Sequence, residues 1–143
     1  MLAGTWALVF AAVFTGAAIY INVAEHPSRM ALDDGAALAQ WGPAYQRGFA
    51  MQASLALVST ALGLLAFWWT RNLWWFIGSG LIFANWPYTL TAILPLNRRL
   101  QAMEPDKPPA EARMLLQRWA LLHAGRSALG AAATVSYVVA LNG

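Results

Sequence analysis

The sequence predicts an all-α fold, a transmembrane four-helix bundle, and three observations carry this. Of the 143 residues, 59% are hydrophobic and only 10% are charged, and the mean hydropathy is +0.49. That composition belongs to integral membrane proteins. The apolar residues fall into four stretches, near 4–26, 44–69, 73–94 and 110–141, each close to the ~20 residues that cross a bilayer as a helix. The charged residues lie mostly between or at the ends of these stretches. The length suits a single domain, residues 1–143. There is no cysteine, which excludes disulfides, thiolate metal sites and a cysteine nucleophile. The net charge of +3 does not point to nucleic acid, because the basic residues cluster at helix ends, where membrane topology places them.

The first span is rich in Ala, with Gly16 and other small residues that allow another helix to approach closely. No basic segment precedes it and Glu25-His26-Pro27 follows, so it is expected to remain as a span and not to be cleaved. Asn22, Glu25, His26 and Arg29 are spaced i, i+3, i+4, i+7 and share a face at its end, where Pro27 ends or bends the helix. Residues 28–42 suit a short interfacial helix between the first two spans, with Trp41 at headgroup level, Asp33 and Asp34 solvated, and Gly42-Pro43 breaking the chain before the second span. In that span Tyr45, Gln52 and Ser59 repeat every seven residues as a thin polar stripe. Thr70-Arg71-Asn72 is a tight turn flanked by Trp68, Trp69, Trp74 and Trp75, which read as an aromatic belt. So short a turn makes the second and third spans antiparallel neighbours. Pro87 is expected to kink the third span and Pro95 to end it. The last helix begins at Pro109, with Glu111 in its first turn, and outruns the bilayer, so its first turns protrude.

Connections one and three hold Arg29, Arg47, Arg98, Arg99, Lys107, Arg113 and Arg118, and the other side holds Arg71 alone. This bias puts the long connections in the cytoplasm and both termini outside, in a membrane that we expect to be the bacterial inner membrane.

The last helix carries the sharpest functional signal. Trp119, His123, Arg126 and Gly130 share one face, and no charged side chain follows Arg126. A charge below the membrane surface is costly and normally meets a partner or a cavity, so Glu25 or a neighbouring polar group is expected to contact Arg126 or Arg118. Three readings compete. In the first, the bundle is a cofactor-independent proton-abstraction site. His123 or His26 is the base, Arg126 and Asn85 stabilise an oxyanion, and Trp41, Trp86, Tyr88 and Trp119 flank a planar substrate. Asn22, Glu25, Tyr45, Gln52, Asn97 and Arg118 complete the binding residues. In the second, His26 and His123, with Glu25, ligate haem or a metal, although no helix carries a paired-histidine or Glu-x-x-His motif. In the third, the polar cluster only locks the bundle, as in a structural subunit or a protein that binds a haem, quinone or lipid without acting on it.

Several segments in order carry a family resemblance: Glu25-His26-Pro27, then Trp41 and Tyr45 leading to Arg47, Pro87-Tyr88-Thr89, Pro95-Leu96-Asn97 with Leu100, and Arg118-Trp119-x3-His123-x2-Arg126. With these the chain resembles the anthrone oxygenase-like integral membrane proteins, a family described mainly as a domain of unknown function. The resemblance implies a four-helix membrane protein. Through some members it also implies oxidation of polycyclic anthrones to quinones with no metal or flavin. The family commonly has Asn where this chain has His123, a departure that adds a base or a ligand. The implied partners are the lipid bilayer and a hydrophobic small molecule, with no nucleic acid, and a homo-oligomer is left open.

Overall fold

A computed structural model of the protein describes residues 2–143. It is built from four helices: α1 (Leu2–Met30), α2 (Asp34–Thr70), α3 (residues 73–101) and α4 (Ala112–Asn142). α1, α2 and α4 are long and apolar enough to cross a membrane uninterrupted, and α3 is the interrupted fourth. Each helix packs on its sequence neighbours and α4 closes the ring against α1, giving an up-down-up-down bundle. The outward faces carry Val9, Val13, Leu57, Leu65, Ile77, Leu121 and Val135. Exposed apolar surface on this scale suits lipid and not water.

Two helices widen where a proline approaches. In α1 the residues Ile21–Glu25 form a π-turn in which the His26 N–H donates to the Ile21 carbonyl. In α3 the residues Thr89–Ile93 do the same, with the Leu94 N–H donating to the Thr89 carbonyl. Pro27 and Pro95 each lie two residues beyond the turn. A helical proline lacks an N–H and its ring crowds the carbonyl four residues back; an i→i−5 turn eases that crowding, and such turns recur at functional sites. The third span therefore does not end at Pro95, as the sequence had suggested, but runs on to Gln101. Its earlier interruption is a turn at Ala84, ahead of Pro87, where the Asn85 side-chain amide donates to the Ile82 carbonyl at 3.1 Å.

The expected interfacial helix is also corrected. Gly42-Pro43 does not break the chain: α2 is continuous from Asp34, because Ala37, Leu38 and Trp41 are buried against Ile93, Leu96, Leu115, Leu116 and Trp119. Trp41 accordingly lies in the core of the bundle. Asp33 caps α2 by accepting from the Ala36 N–H, and Asp34 is paired with Arg113 at 2.7 Å; neither is merely solvated. Arg113 also donates to the Met30 and Leu32 carbonyls, clamping the short 31–33 connection onto α4. α4 begins at Ala112, and Glu111 pairs with Arg99 at 3.1 Å just outside it. The turn after α2 is as expected. Arg71 takes the left-handed conformation with φ 58°, and Asn72 caps α3 by accepting from the Trp74 N–H. Trp68, Trp69 and Trp74 are exposed there, but Trp75 is fully buried and belongs to the core, not to the belt.

Candidate functional site

The polar end of the bundle is built on the two π-turns and on the middle of α4. From α1, Arg29 is buried and forms an ion pair with Glu25 and a hydrogen bond to Gln40. Its guanidinium also lies over the Trp119 ring, 5.6 Å from the centroid. This corrects the expected pairing: Glu25 meets Arg29, and not Arg126 or Arg118. Arg118 is on the exposed face of α4 and Arg47 is exposed on α2.

Arg126 is buried and faces the protein, with its guanidinium 5.5 Å from the Phe14 ring centroid. Its Nε has no hydrogen-bond partner, and among the described residues it makes no ion pair. One helical turn earlier, His123 is 1% exposed and stacks on Trp119, with centroids 5.0 Å apart and planes at 16°. Neither of its ring nitrogens has a hydrogen-bond partner, although the Ala18 carbonyl is close by. His26 also packs on Trp119, at 6.4 Å, and its Nδ1 lies 3.5 Å from Arg29.

Trp119 is the centre of this cluster. Its indole N–H donates to Asn97 Oδ1 at 2.9 Å, and Trp41 meets it edge-on at 6.0 Å. Tyr45 then stacks on Trp41, with planes only 3° apart. Asn97 is placed for this by the register of α3 after the π-turn, which buries Leu96, Asn97 and Leu100 together.

Two crevices open among these residues. The inner one, about 270 Å³ between α1, α2 and α4, is lined by Glu25, Tyr45, Gln52, Trp119, His123 and Arg126. The outer one, about 260 Å³ between α2, α3 and α4, is lined by Ala53, Asn85, Trp86, Thr89, Leu90 and Arg126. Phe49 lines both. The enclosed part of each has room for about one water. Orphaned polar atoms gather around them: Gln52 Oε1, Asn85 Oδ1, Trp86 Nε1, Thr89 Oγ1 and Arg126 Nε, besides the two nitrogens of His123. A buried polar group without a partner costs about 1–3 kcal/mol, so so many together mark a place that a polar ligand or water would complete.

Two of the sequence-derived site residues are spent on structure. Asn22 donates to the Ala120 carbonyl and accepts from Ser127, and Tyr88 donates to the Leu122 carbonyl at 2.7 Å. Both tie other helices to α4 and neither lines a crevice. Trp41 and Asn97 support Trp119 from behind. Sequence reasoning missed Phe49, Thr89 and the buried role of Arg29. Phe49 could have been found, since it continues the Trp41, Tyr45 series at the next i+4 position.

The candidate donors for a metal or haem are His26, His123 and Glu25. Both imidazoles pack on the same indole and Glu25 is held by Arg29. Among the described residues no group of three or more His, Asp or Glu comes together. The arrangement brings together a buried imidazole, a guanidinium and flat aromatic walls.

No curated protein and no solved structure matches the chain. The family model described as anthrone oxygenase matches residues 41–136, which is more than half of the chain and runs from the Trp41 face of α2 through Arg126 and on along α4, so this membrane protein belongs to the anthrone oxygenase family.

Proposed function

We propose that the protein is a cofactor-independent oxidoreductase that acts on a flat, polycyclic or quinone-like molecule drawn from the bilayer. The observation that carries this reading is the His123 imidazole. It is buried, without a partner on either nitrogen, stacked on Trp119, and in the same crevice as a guanidinium with an unbonded Nε. A substrate ring against Trp119 presents an acidic C–H, flanked by aryl groups and conjugated to a carbonyl, to the imidazole. His123 takes the proton, and Arg126 stabilises the charge that develops on the oxygen. The electron-rich carbanion adds dioxygen, forming one C–O bond, and His123 returns the proton to give a hydroperoxide. Loss of water then leaves a carbonyl, so that one CH₂ and one O₂ become one C=O and one H₂O. His26, nearer the end of the bundle and beside Arg29, relays protons to water. The apolar surroundings dissolve both the aromatic substrate and oxygen.

The test is anaerobic incubation of the purified protein with anthrone, followed by admission of oxygen. Solvent-deuterium exchange at the CH₂ reads proton abstraction alone, and quinone absorbance reads the oxidation. Acceleration of the exchange by wild type, lost in His123→Ala, supports the assignment. No acceleration of either step across several anthrones moves the reading to ligand binding without catalysis.

We also propose that both long connections face the cytoplasm. The Lys and Arg bias supports this. Because the chain has no cysteine, single substitutions Ala102→Cys and Asn142→Cys give clean labels. In intact cells an impermeant reagent should reach position 142 and not 102, and the reverse would overturn the orientation.

A further inference from the structure

The two crevices share two side chains, Phe49 from α2 and Arg126 from α4. Phe49 is half-buried, 6.1 Å from Tyr45 and 6.4 Å from Trp86 between ring centroids. These are its aromatic contacts, and Gly48 beside it contributes no side chain. The outer crevice reaches the lipid-facing surface between α2 and α3, where Leu90 is 50% exposed. Alone, neither crevice has enclosed room for more than about one water, far less than a multi-ring molecule needs. Turning the Phe49 ring toward lipid would make them one slot, walled by Trp86 at one end and Trp119 at the other, with Arg126 midway.

We propose that the α2–α3 crevice is the outer half of a single binding slot for flat aromatic molecules and its opening to the bilayer, and that Phe49 is the partition that sets which molecules pass. Side chains at Phe49 fix the length of the slot, and Leu90 sits at its mouth. Aromatic contacts at both ends favour planar ligands. Arg126 and Trp86, each with an unbonded N–H, select ligands that carry an oxygen acceptor between the rings. The inner half is the His123 crevice of the proposed activity, so the inference rests on that reading for what the slot serves, but not for its existence.

Anthraquinone separates the two ideas. It is flat, has three rings and two carbonyl oxygens, and lacks the acidic C–H that turnover requires. Protein in nanodiscs is mixed with it in a stopped-flow instrument, and quenching of tryptophan fluorescence is followed against empty discs. Wild type should show saturable quenching. Phe49→Ala should associate faster and bind about tenfold tighter, and Phe49→Trp should bind about tenfold weaker, since added bulk overpacks the slot. Leu90→Trp should slow association and dissociation together and leave affinity nearly unchanged, as a substitution at the mouth and not in the slot. Phe49→Leu guards against misfolding by the larger changes and should fall between wild type and Phe49→Ala. Wild-type discs that quench no more than empty ones, or Phe49 and Leu90 variants that all behave as wild type does, overturn the proposal. If anthraquinone binding responds as described but anthrone is not turned over, the slot stands and the catalytic assignment falls. If anthrone is turned over by Phe49→Trp with wild-type kcat/KM, the slot falls and the catalytic assignment stands.

Discussion

The two halves of the bundle treat their polar groups in opposite ways. In the half near the α2–α3 turn, the buried hydroxyls are all bonded. Ser59 donates to the Ala7 carbonyl, Ser79 to that of Trp75, Ser136 to that of Trp74, and Tyr137 to that of Ser59. Gly63 and Gly78 press directly on the Tyr137 ring, so closely that a Cβ at either would collide with it. This is packing through small residues and hydroxyl bridges, the usual means of joining helices in lipid. Among the described residues, nine of the ten orphaned buried polar atoms are found in the other half, and the tenth is the Trp75 indole nitrogen. One half spends its polar groups on holding helices together. The other bonds some of them, as at Asn22 and Tyr88, and leaves the rest for a ligand or water to complete.

The contrast is sharpest at His123. If the open half is catalytic, His123→Ala should lower anthrone turnover by about 10²–10⁴-fold, the usual range for a positioned general base. The thermal unfolding midpoint in detergent should fall less than for Tyr137→Ala, because the imidazole is smaller and supplies mainly its packing on Trp119. A large fall in the midpoint with turnover intact would reverse the comparison and make His123 a lock. Tyr137 should behave in the opposite way. Tyr137→Ala removes a fully buried ring together with its contacts to Ser59 and Ser79. It should cost about 3–5 kcal/mol in equilibrium unfolding, while the activity per folded molecule stays at the wild-type level.

Arg29 tests how the open half holds its own buried charge. Arg29→Ala leaves Glu25 without its partner and removes the cation over Trp119. Breaking such a pair should cost about 2–3 kcal/mol, less than for a fully enclosed one because Glu25 keeps some solvent. The double variant Glu25→Gln/Arg29→Ala should recover part of that loss, since the uncompensated charge is then gone. Equal losses in the single and double variants would show that packing on Trp119, and not charge, is what Arg29 supplies.

The bundle itself was legible, because lipid forces the chain to write its spans as long apolar runs and its turns as Gly, Pro, Asn and charge. Face assignments within one helix were legible too: Trp119, His123, Arg126 and Gly130 are all buried, as their spacing requires. What could not be read was the match between helices. Glu25 had several basic candidates, and it takes the one on its own helix face at i+4, Arg29, over those on α4. Gly42-Pro43 looked like a break because local propensity says so; burial of Leu38 and Trp41 on α4 and the end of α3 overrode it. Trp75 looked like its exposed neighbours until Gly4 on another helix made room for it.

The smallest expected effect concerns the proline that shapes the open half. Pro95 follows the π-turn in α3, and the residues after it, Leu96, Asn97 and Leu100, are buried. Asn97 reaches Trp119 from that register. Relaxing the π-turn to an α-turn would rotate this stretch by about 100°, the step of one helical residue, and carry Asn97 off its partner. Pro95→Ala supplies an N–H that can complete one more backbone hydrogen bond, a net gain of about 0.5–1.5 kcal/mol. Loss of the buried Leu96 and Leu100 contacts would outweigh that gain, at about 1.5–3 kcal/mol for each leucine. The π-turn should therefore persist in Pro95→Ala, with stability raised by no more than about 1 kcal/mol and with anthraquinone quenching of the tryptophans unchanged. A fall in stability together with altered quenching would mean that the proline, and not the packing beyond it, holds the register on which the Trp119 cluster is built.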